Sequence, residues 1–412
     1  MKLLLILDSV EYPLAPNPVL ARRVAVCLAQ RGHAVDLLEL WDGETPPPSV
    51  PGCRQFPLAF ADEREMNRAL EFGQNGVTPV PLRLARLCRH PSAAMAAVRQ
   101  FAFKCPRRVS AARSEIERLD NLHRYDAVMA VAAPYAGSFA LAEAQISACK
   151  ADWQMDPYAA NRDYKAPGAW QRELELGRSM ALLFVPPTAA GDFAPGMPLR
   201  ELADRMQVLD FPTLAPPPVL PSLSALAGQL RCVFVGNLYR ELRTPHFALE
   251  LFQALDEPGT SLTFVGGGWQ QYPATLLDPY RKVLGDRLIV TGPVPSEQAA
   301  AALAGADVLL SLGNGVDNQV PSKLFEYLAA GKPILHLAKL QTDPCLPYLE
   351  KWPLACIVQE SEGVTPQVLA RVCAFLHEKG RLRLPFAEAA RLYPENTPEY
   401  AASLLEHAFP VL

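Results

Sequence analysis

The chain has 412 residues, 50% hydrophobic and 20% charged, with a formal net charge of −4. This is the profile of a soluble globular protein long enough for two domains, and its slightly acidic balance excludes a general pull towards nucleic acid. Nine scattered cysteines with no CxxC spacing exclude a disulfide framework and a zinc ribbon, and fit a reducing cytoplasm.

The first apolar run, residues 2–7, is too short for a signal peptide and is followed at once by Asp8 and Glu11, so it reads as a buried strand. No run reaches the roughly 18–20 apolar residues that spanning a bilayer needs. After a proline-rich loop, Leu20, Val24, Cys27 and Leu28 recur at helical spacing. Asn17 is placed to cap that helix, Pro18 to open it and Gly32 to end it. Residues 34–40 form the next strand, and this βαβ opening predicts a doubly wound α/β domain. The loop lacks GxGxxG, which argues against a dinucleotide site. His33, in RGHAV, reads as a residue that packs a turn.

Residues 72–114 contain no acid but carry Arg83, Arg86, Arg89, Arg99, Lys104, Arg107, Arg108 and Arg113, interleaved with apolar side chains. Two readings stand for this basic region, 83–113. It meets an anionic membrane surface, or its charges have partners elsewhere in the fold. No RNA-binding motif accompanies it. Residues 124–131 return to strand. Tyr135 and Gly137 follow its carboxyl end, where open parallel sheets bind ligands. Asp156 precedes Pro157 and so lies on a turn, as a cap or as a carboxylate facing the acceptor side. A helix at 170–180 and strands at 181–186 and 207–211 follow. The four prolines of 213–222 mark a linker.

The β-then-helix rhythm restarts at 231–236 and ends in Gly236 and Asn237, with Arg240 and Arg243 in the loop. A strand at 261–265 runs into Gly266, Gly267 and Gly268, which let a backbone or a ligand approach closely. Another strand, 287–290, leads to Pro293 and Val294, and Ser296 is placed to cap the next helix, with Gln298 near the capping-box position. The most informative stretch is 311–337, read as strand, polar loop, short helix, turn and strand. Pro321 and Ser322 open the helix, and Leu324, Phe325 and Leu328 give it an apolar stripe. Such a junction directs N–H groups at an anion. Glu326 lies one turn in, where it can accept hydroxyl protons. A short strand at 356–358 and helices at 368–377 and 395–409 complete the chain.

From residue 229 to 340 the pattern resembles the C-terminal domain of a family 4 glycosyltransferase. The resemblance rests on FVGNLYRELRTP, on LTFVGGG with LIVTGPVPSEQAAAALAGADVLL, and on VPSKLFEYLAAGKPILHL. It implies a GT-B fold, with two Rossmann-like doubly wound domains facing each other across a cleft. The domains are then 1–212 and 229–394, joined by the linker 213–228, with helix 395–412 crossing back to the first. It implies a retaining, metal-independent transfer from a nucleotide-sugar donor to a glycan, lipid-linked or small-molecule acceptor, with no cofactor and no nucleic acid. The protein would work in the cytoplasm, on the inner face of the membrane if the basic region binds there. Arg243 and Lys323 would stabilise the departing diphosphate. Gly236, Asn237, Arg240, Gly267, Pro293, Val294, Asp317, Asn318, Ser322 and Glu326 would line the donor site, Glu326 holding the ribose and the backbone at 293–294 meeting the base. No metal ligand is implied.

Three departures stand out. An acid usual in the family is replaced by Asn318, an arginine usual after the strand glycine by Asn237, and the glycines of the first loop by residues 15–18. These departures keep open a non-catalytic nucleotide-sugar- or glycan-binding protein. A sugar-nucleotide 2-epimerase on the same fold is a further alternative, but it needs acid/base residues that match poorly here.

Overall fold

Continuous apolar runs build two all-parallel sheets in a computed structural model of the chain, which describes residues 1–10, 16–44, 46–61, 106–159, 168–217, 229–255, 257–317, 320–321 and 323–409. The first unit comprises Met1–Pro212 with Thr397–Leu412, and the second Thr213–Asn396. Among the described residues no helix is long and apolar enough to cross a membrane.

The sheet of the first unit contains β1 (Lys2–Asp8), β2 (Ala34–Trp41), β3 (Cys53–Ala59), β4 (Ala127–Ala132), β5 (Cys149–Gln154), β6 (Leu182–Val185) and β7 (Met206–Val208), in the order β3-β2-β1-β4-β5-β6-β7. β1 and β4 are covered on both faces, which is why their sequences are apolar without alternation. The helix Pro16–Gln30 buries Leu20, Ala21, Val24, Ala25 and Leu28 against one face. At about 1.5–3 kcal/mol for each large aliphatic side chain, this face contributes several kcal/mol. Asn17 lies inside that helix rather than at its cap.

The last helix, Pro398–Ala408, packs Ala401, Ala402 and Leu405 into the same cluster. Thr397 caps it by accepting from the Tyr400 N–H at 3.2 Å. RGHAV has a physical role here: Arg31 donates to Ser403 Oγ, Glu406 Oε2 and the Glu399 carbonyl, each at 2.8 Å. His33 Nε2 lies 2.6 Å from Glu406 Oε1.

The second sheet contains β8 (Leu230–Val235), β9 (Thr260–Val265), β10 (Leu288–Val290), β11 (Val308–Leu312), β12 (Ile334–Ala338) and β13 (Ala355–Gln359), ordered β10-β9-β8-β11-β12-β13. Its core combines Phe234, Leu249, Phe252, Phe264, Leu310, Leu335 and Leu376. Helix carboxyl ends are closed by cations from neighbouring elements. Lys332 Nζ donates to the carbonyls of Leu303, Ala304 and Ala306 after the helix Ser296–Gly305. Arg205 does the same for Arg178 and Met180 after the helix Ala169–Arg178. The expected cap at Ser296 does not form. Pro295 occupies the cap position with no side-chain bond, and Ser296 is the first helical residue.

Candidate functional site

In the second sheet the strand order reverses between β8 and β11, and ligands of open α/β sheets gather at the carboxyl ends of such a pair. Arg243 is brought to that point by a backbone pair with Tyr239, whose two N–H···O bonds are each 2.9 Å. Its Nε and Nη2 donate to Asn314 Oδ1 at 3.1 and 2.7 Å. Asn314 sits just beyond β11 and is buried. Among the described residues no carboxylate forms an ion pair with Arg243. Burial pushes the guanidinium pKa down, opposed by Tyr327, Tyr239 and Cys345 and least by Asp343. A half-buried cation held by a neutral amide is incompletely compensated and suited to an incoming anion.

The loops after β8, β9 and β10 are stitched together. The Gly236 N–H reaches the Val265 carbonyl at 2.9 Å, Leu238 reaches Gly267 at 3.0 Å, and Gly266 reaches Gly292 at 3.0 Å. The glycine run serves this stitching. A Cβ on Gly266, at φ +134°, would lie 1.9 Å from the Gly236 carbonyl oxygen, and one on Gly268, at φ +97°, 2.1 Å from that of Leu238. At these two positions the close neighbour is the chain's own backbone. Asn237 Oδ1 accepts the Gly267 N–H at 3.0 Å, so this side chain braces the loop. Pro293 borders Gly267, Val294 is half-buried, and Arg240 is exposed with its N–H on Gln271 Oε1.

The helix Lys323–Ala329 buries Leu324, Phe325, Tyr327 and Leu328. Lys323 Nζ and Glu326 Oε2 pair at 2.6 Å, with side chains 39% and 47% exposed. Asp317 is exposed, while Asn318 and Ser322 lie outside the described residues. Tyr327 was not anticipated. Its hydroxyl accepts the Val235 N–H at 2.8 Å and reaches the Val235 carbonyl at 3.3 Å, pinning the helix to the end of β8. The available signal was its place beside the expected apolar stripe.

Two sets of ligand-type side chains also converge, although nothing in their sequence spacing indicates it: His336, Asp343 and Cys345, all buried, and Glu257, Cys373 and His377. Each set is internally paired. His336 Nε2 lies 3.3 Å from Asp343 Oδ2, and Cys373 Sγ donates to Glu257 Oε1 at 3.1 Å.

In the first unit, Tyr135 and Asp156 do come together. The Tyr135 hydroxyl donates to the Asp156 carbonyl at 2.9 Å. Asn17 Nδ2 donates to the Asp156 carboxylate at 2.9 Å and reaches the carbonyls of Ala132 and Ala133. Asn17, expected only as a cap, thus ties the first helix to the ends of β4 and β5. Behind this cluster, Ser138 donates to Asp152, whose pKa burial raises to about 6. Burial likewise raises Glu173 to about 7, although its Oε2 accepts the Ala159 N–H.

Much of the basic region, residues 83–105, lies outside the described residues. Within the part described, Arg107 is exposed and Arg113 partly exposed, and only Arg108 turns inward. Arg108 is 1% exposed and pairs with buried Asp8 at 3.3 Å, and Arg113 lies 3.6 Å from Glu143. Arg108 is therefore not part of a basic surface.

Residues 229–339 match the family model of glycosyl transferases group 1. The matched span carries Arg243, Asn314, the stitched loops and the Lys323–Glu326 pair. No curated protein sequence matches the chain.

Solved structures align along almost its whole length. HepE from Anabaena, solved with UDP, is 12% identical, with 99% of each chain covered and a TM-score of 0.59. Sucrose-phosphate synthase from Thermosynechococcus elongatus is 14% identical, with 98% of each chain covered and a TM-score of 0.56. UDP-GlcNAc 2-epimerase from Methanocaldococcus jannaschii is 10% identical, covering 99% of this chain and 100% of its own, with a TM-score of 0.52. At these identities the likeness is one of fold, and that fold is GT-B: two units, each a parallel sheet flanked by helices.

Proposed function

We propose that the protein is a retaining glycosyltransferase that binds a nucleotide-sugar donor on its second unit and passes the sugar to a glycan, lipid-linked or small-molecule acceptor taken by the first. The observation that carries this reading is the Arg243 guanidinium, half-buried at the strand-order reversal and held by the neutral Asn314. The group 1 match over 229–339 supports transfer over the epimerase chemistry that the same fold also hosts.

In the proposed reaction the acceptor hydroxyl attacks the anomeric carbon on the face that the diphosphate leaves. The new C–O bond forms as the sugar–phosphate bond breaks, and the hydroxyl proton passes to the departing phosphate oxygen, so no protein base and no metal ion is required. Arg243 stabilises the negative charge that builds on the diphosphate. Lys323 joins it by leaving Glu326. An exposed pair of this kind contributes only about 0–1 kcal/mol, so the exchange is cheap, and it frees Glu326 to accept from the ribose hydroxyls. Gly236, Arg240, Gly267, Pro293, Val294, Asp317, Asn318 and Ser322 complete the donor surface, and Tyr135 and Asp156 serve the acceptor.

Incubation with a panel of nucleotide sugars, with and without EDTA, tests this directly. Release of nucleoside diphosphate should persist in EDTA, and its loss there would sink the metal-free mechanism. Asn237, spent on the loop brace, supplies no cation, which favours a binding-only protein as the second reading. Donor binding without turnover on any acceptor would select it. Cytoplasmic residence at an anionic membrane surface is proposed through Arg83, Arg86, Arg89, Arg99 and Lys104. Equal flotation with anionic and neutral liposomes would remove that contact.

A further inference from the structure

We propose that His336, acting through Asp343, is a positioning residue for Arg243. This rests on the reading of Arg243 as the cation that meets the donor diphosphate.

His336 stands in an otherwise apolar strand and is 0% exposed. It is the register partner of Ser311 across β11 and β12, and its Nδ1 lies 2.9 Å from Ser311 Oγ. Nε2 faces Asp343 Oδ2 at 3.3 Å. The other carboxylate oxygen, Oδ1, accepts the Cys345 N–H at 2.8 Å, which leaves Asp343 little freedom to turn. Its Oδ2 lies against the backbone of the site loop: a Cβ on Gly313 would be 2.3 Å from it. The next residue is Asn314, which holds Arg243.

The rest of that loop is clamped. The Gly313 N–H donates to the Leu337 carbonyl at 2.8 Å, and the Gly315 N–H to that of Leu242, beside Arg243, at 2.7 Å. The Asp343 carboxylate adds a contact at Gly313, directly beside Asn314. Burial raises the Asp343 pKa, but the nearby His336 imidazole and the Cys345 N–H outweigh it and hold the group below the ordinary carboxylate range. Asp343 is thus an anion behind Arg243, near enough to be felt yet not paired with it. The chain of contacts Ser311–His336–Asp343–Gly313–Asn314 aims the guanidinium without neutralising it. His336 itself touches no ligand.

The test uses the full chain and four ligands: UDP, GDP, ADP and inorganic pyrophosphate. Affinities are measured by calorimetry, with folding checked by thermal melts. For whichever ligand binds wild type, Arg243→Met should weaken binding about 100-fold. His336→Met should weaken it about five- to tenfold, and the double variant with Asn314→Ala should fall little below Asn314→Ala alone, because residues acting in one chain of contacts are not additive. His336→Gln, which can still donate towards Asp343, should bind within about twofold of wild type.

Unchanged affinity in folded His336→Met, or losses that multiply in the double variant, would overturn the positioning role while leaving the donor site standing. Unchanged affinity in Arg243→Met, or a wild type that binds none of the four, would overturn the donor site itself and this role with it. If His336→Met does not fold, Asp343→Asn decides: it should lose affinity about fivefold, and unchanged binding there overturns the proposal.

Discussion

Replacing Arg243 by methionine should separate binding from stability. In the ligand-free protein the guanidinium is partly desolvated and bonds only to Asn314 Oδ1 among the described residues. Removing a poorly compensated buried cation relieves a desolvation penalty, while the buried Asn314 loses an acceptor's partners at about 1–3 kcal/mol. The two terms oppose each other, so the melting temperature should stay within about 3 °C of wild type, equivalent to about 1 kcal/mol for a unit of this size. Binding has no such compensation. Two charge-assisted hydrogen bonds to a diphosphate contribute about 3 kcal/mol together, or about 100-fold in affinity. Calorimetry with a nucleoside diphosphate alongside a ligand-free thermal melt reads both quantities. A variant that melts far below wild type but keeps its affinity within about threefold would refute the assignment and make Arg243 a structural residue.

Glu326→Ala should weaken donor binding about five- to tenfold, as a ribose hydroxyl loses its acceptor. The exposed Lys323 pair being worth little, ligand-free stability should hold within about 0.5 kcal/mol; undiminished affinity by titration would misplace the ribose. Arg108→Met should destabilise the first unit by about 3 kcal/mol in denaturant melts, because it strips a buried partner from Asp8. A neutral result would mean that the pair carries no weight. Glu173→Gln should act with pH. Burial raises the folded pKa of Glu173 from 4.5 to about 7, so the folded state binds the extra proton between those values and wild-type stability falls as pH rises through them. The glutamine variant should therefore melt about 7 °C higher near pH 8 and no higher near pH 4.5; a shift of equal size at both would exclude titration as the cause.

The sheets were legible because parallel strands are buried on both faces and read as unbroken apolar runs, from β1 to β12. β3 and β5 escaped: β3 lies at the sheet edge, buries irregularly and contains Pro57, which edge strands tolerate, and β5 carries Lys150, Asp152 and Gln154 and so shows no apolar run. Within the site, the arginine loop, the glycine run and the short helix carry spacings that a motif can hold. Their partners do not. Asn314 meets Arg243 across 71 positions of sequence, and in GlyAsnGly it reads as a turn residue. Asn17 had the identity and place of a helix cap, yet its amide serves Asp156, 139 positions away. His336 did give a signal, since a histidine inside an apolar parallel strand must find a buried partner. Only the fold could show that its neighbours are Ser311 and Asp343.

The glycine loops also bear on how a donor's charge would be met. With Asn237 holding the Gly267 N–H and the backbones of 236–238 filling the space over Gly266 and Gly268, no side chain from the tips of β8 and β9 is left to supply charge there. Among the described residues the cations at this edge of the sheet include Arg243, already aimed, exposed Arg240, Lys323, held by Glu326, and Lys339, whose Nζ donates to the Glu241 carbonyl. If the donor sits as proposed, its arrival breaks the Lys323–Glu326 pair and gives each member a better partner, phosphate for the lysine and ribose for the glutamate. The two residues would then respond to donor as one unit. Removing either leaves the other already free, so their effects on affinity should fall short of additive, whereas Arg243, which releases no partner on binding, should combine with either in full.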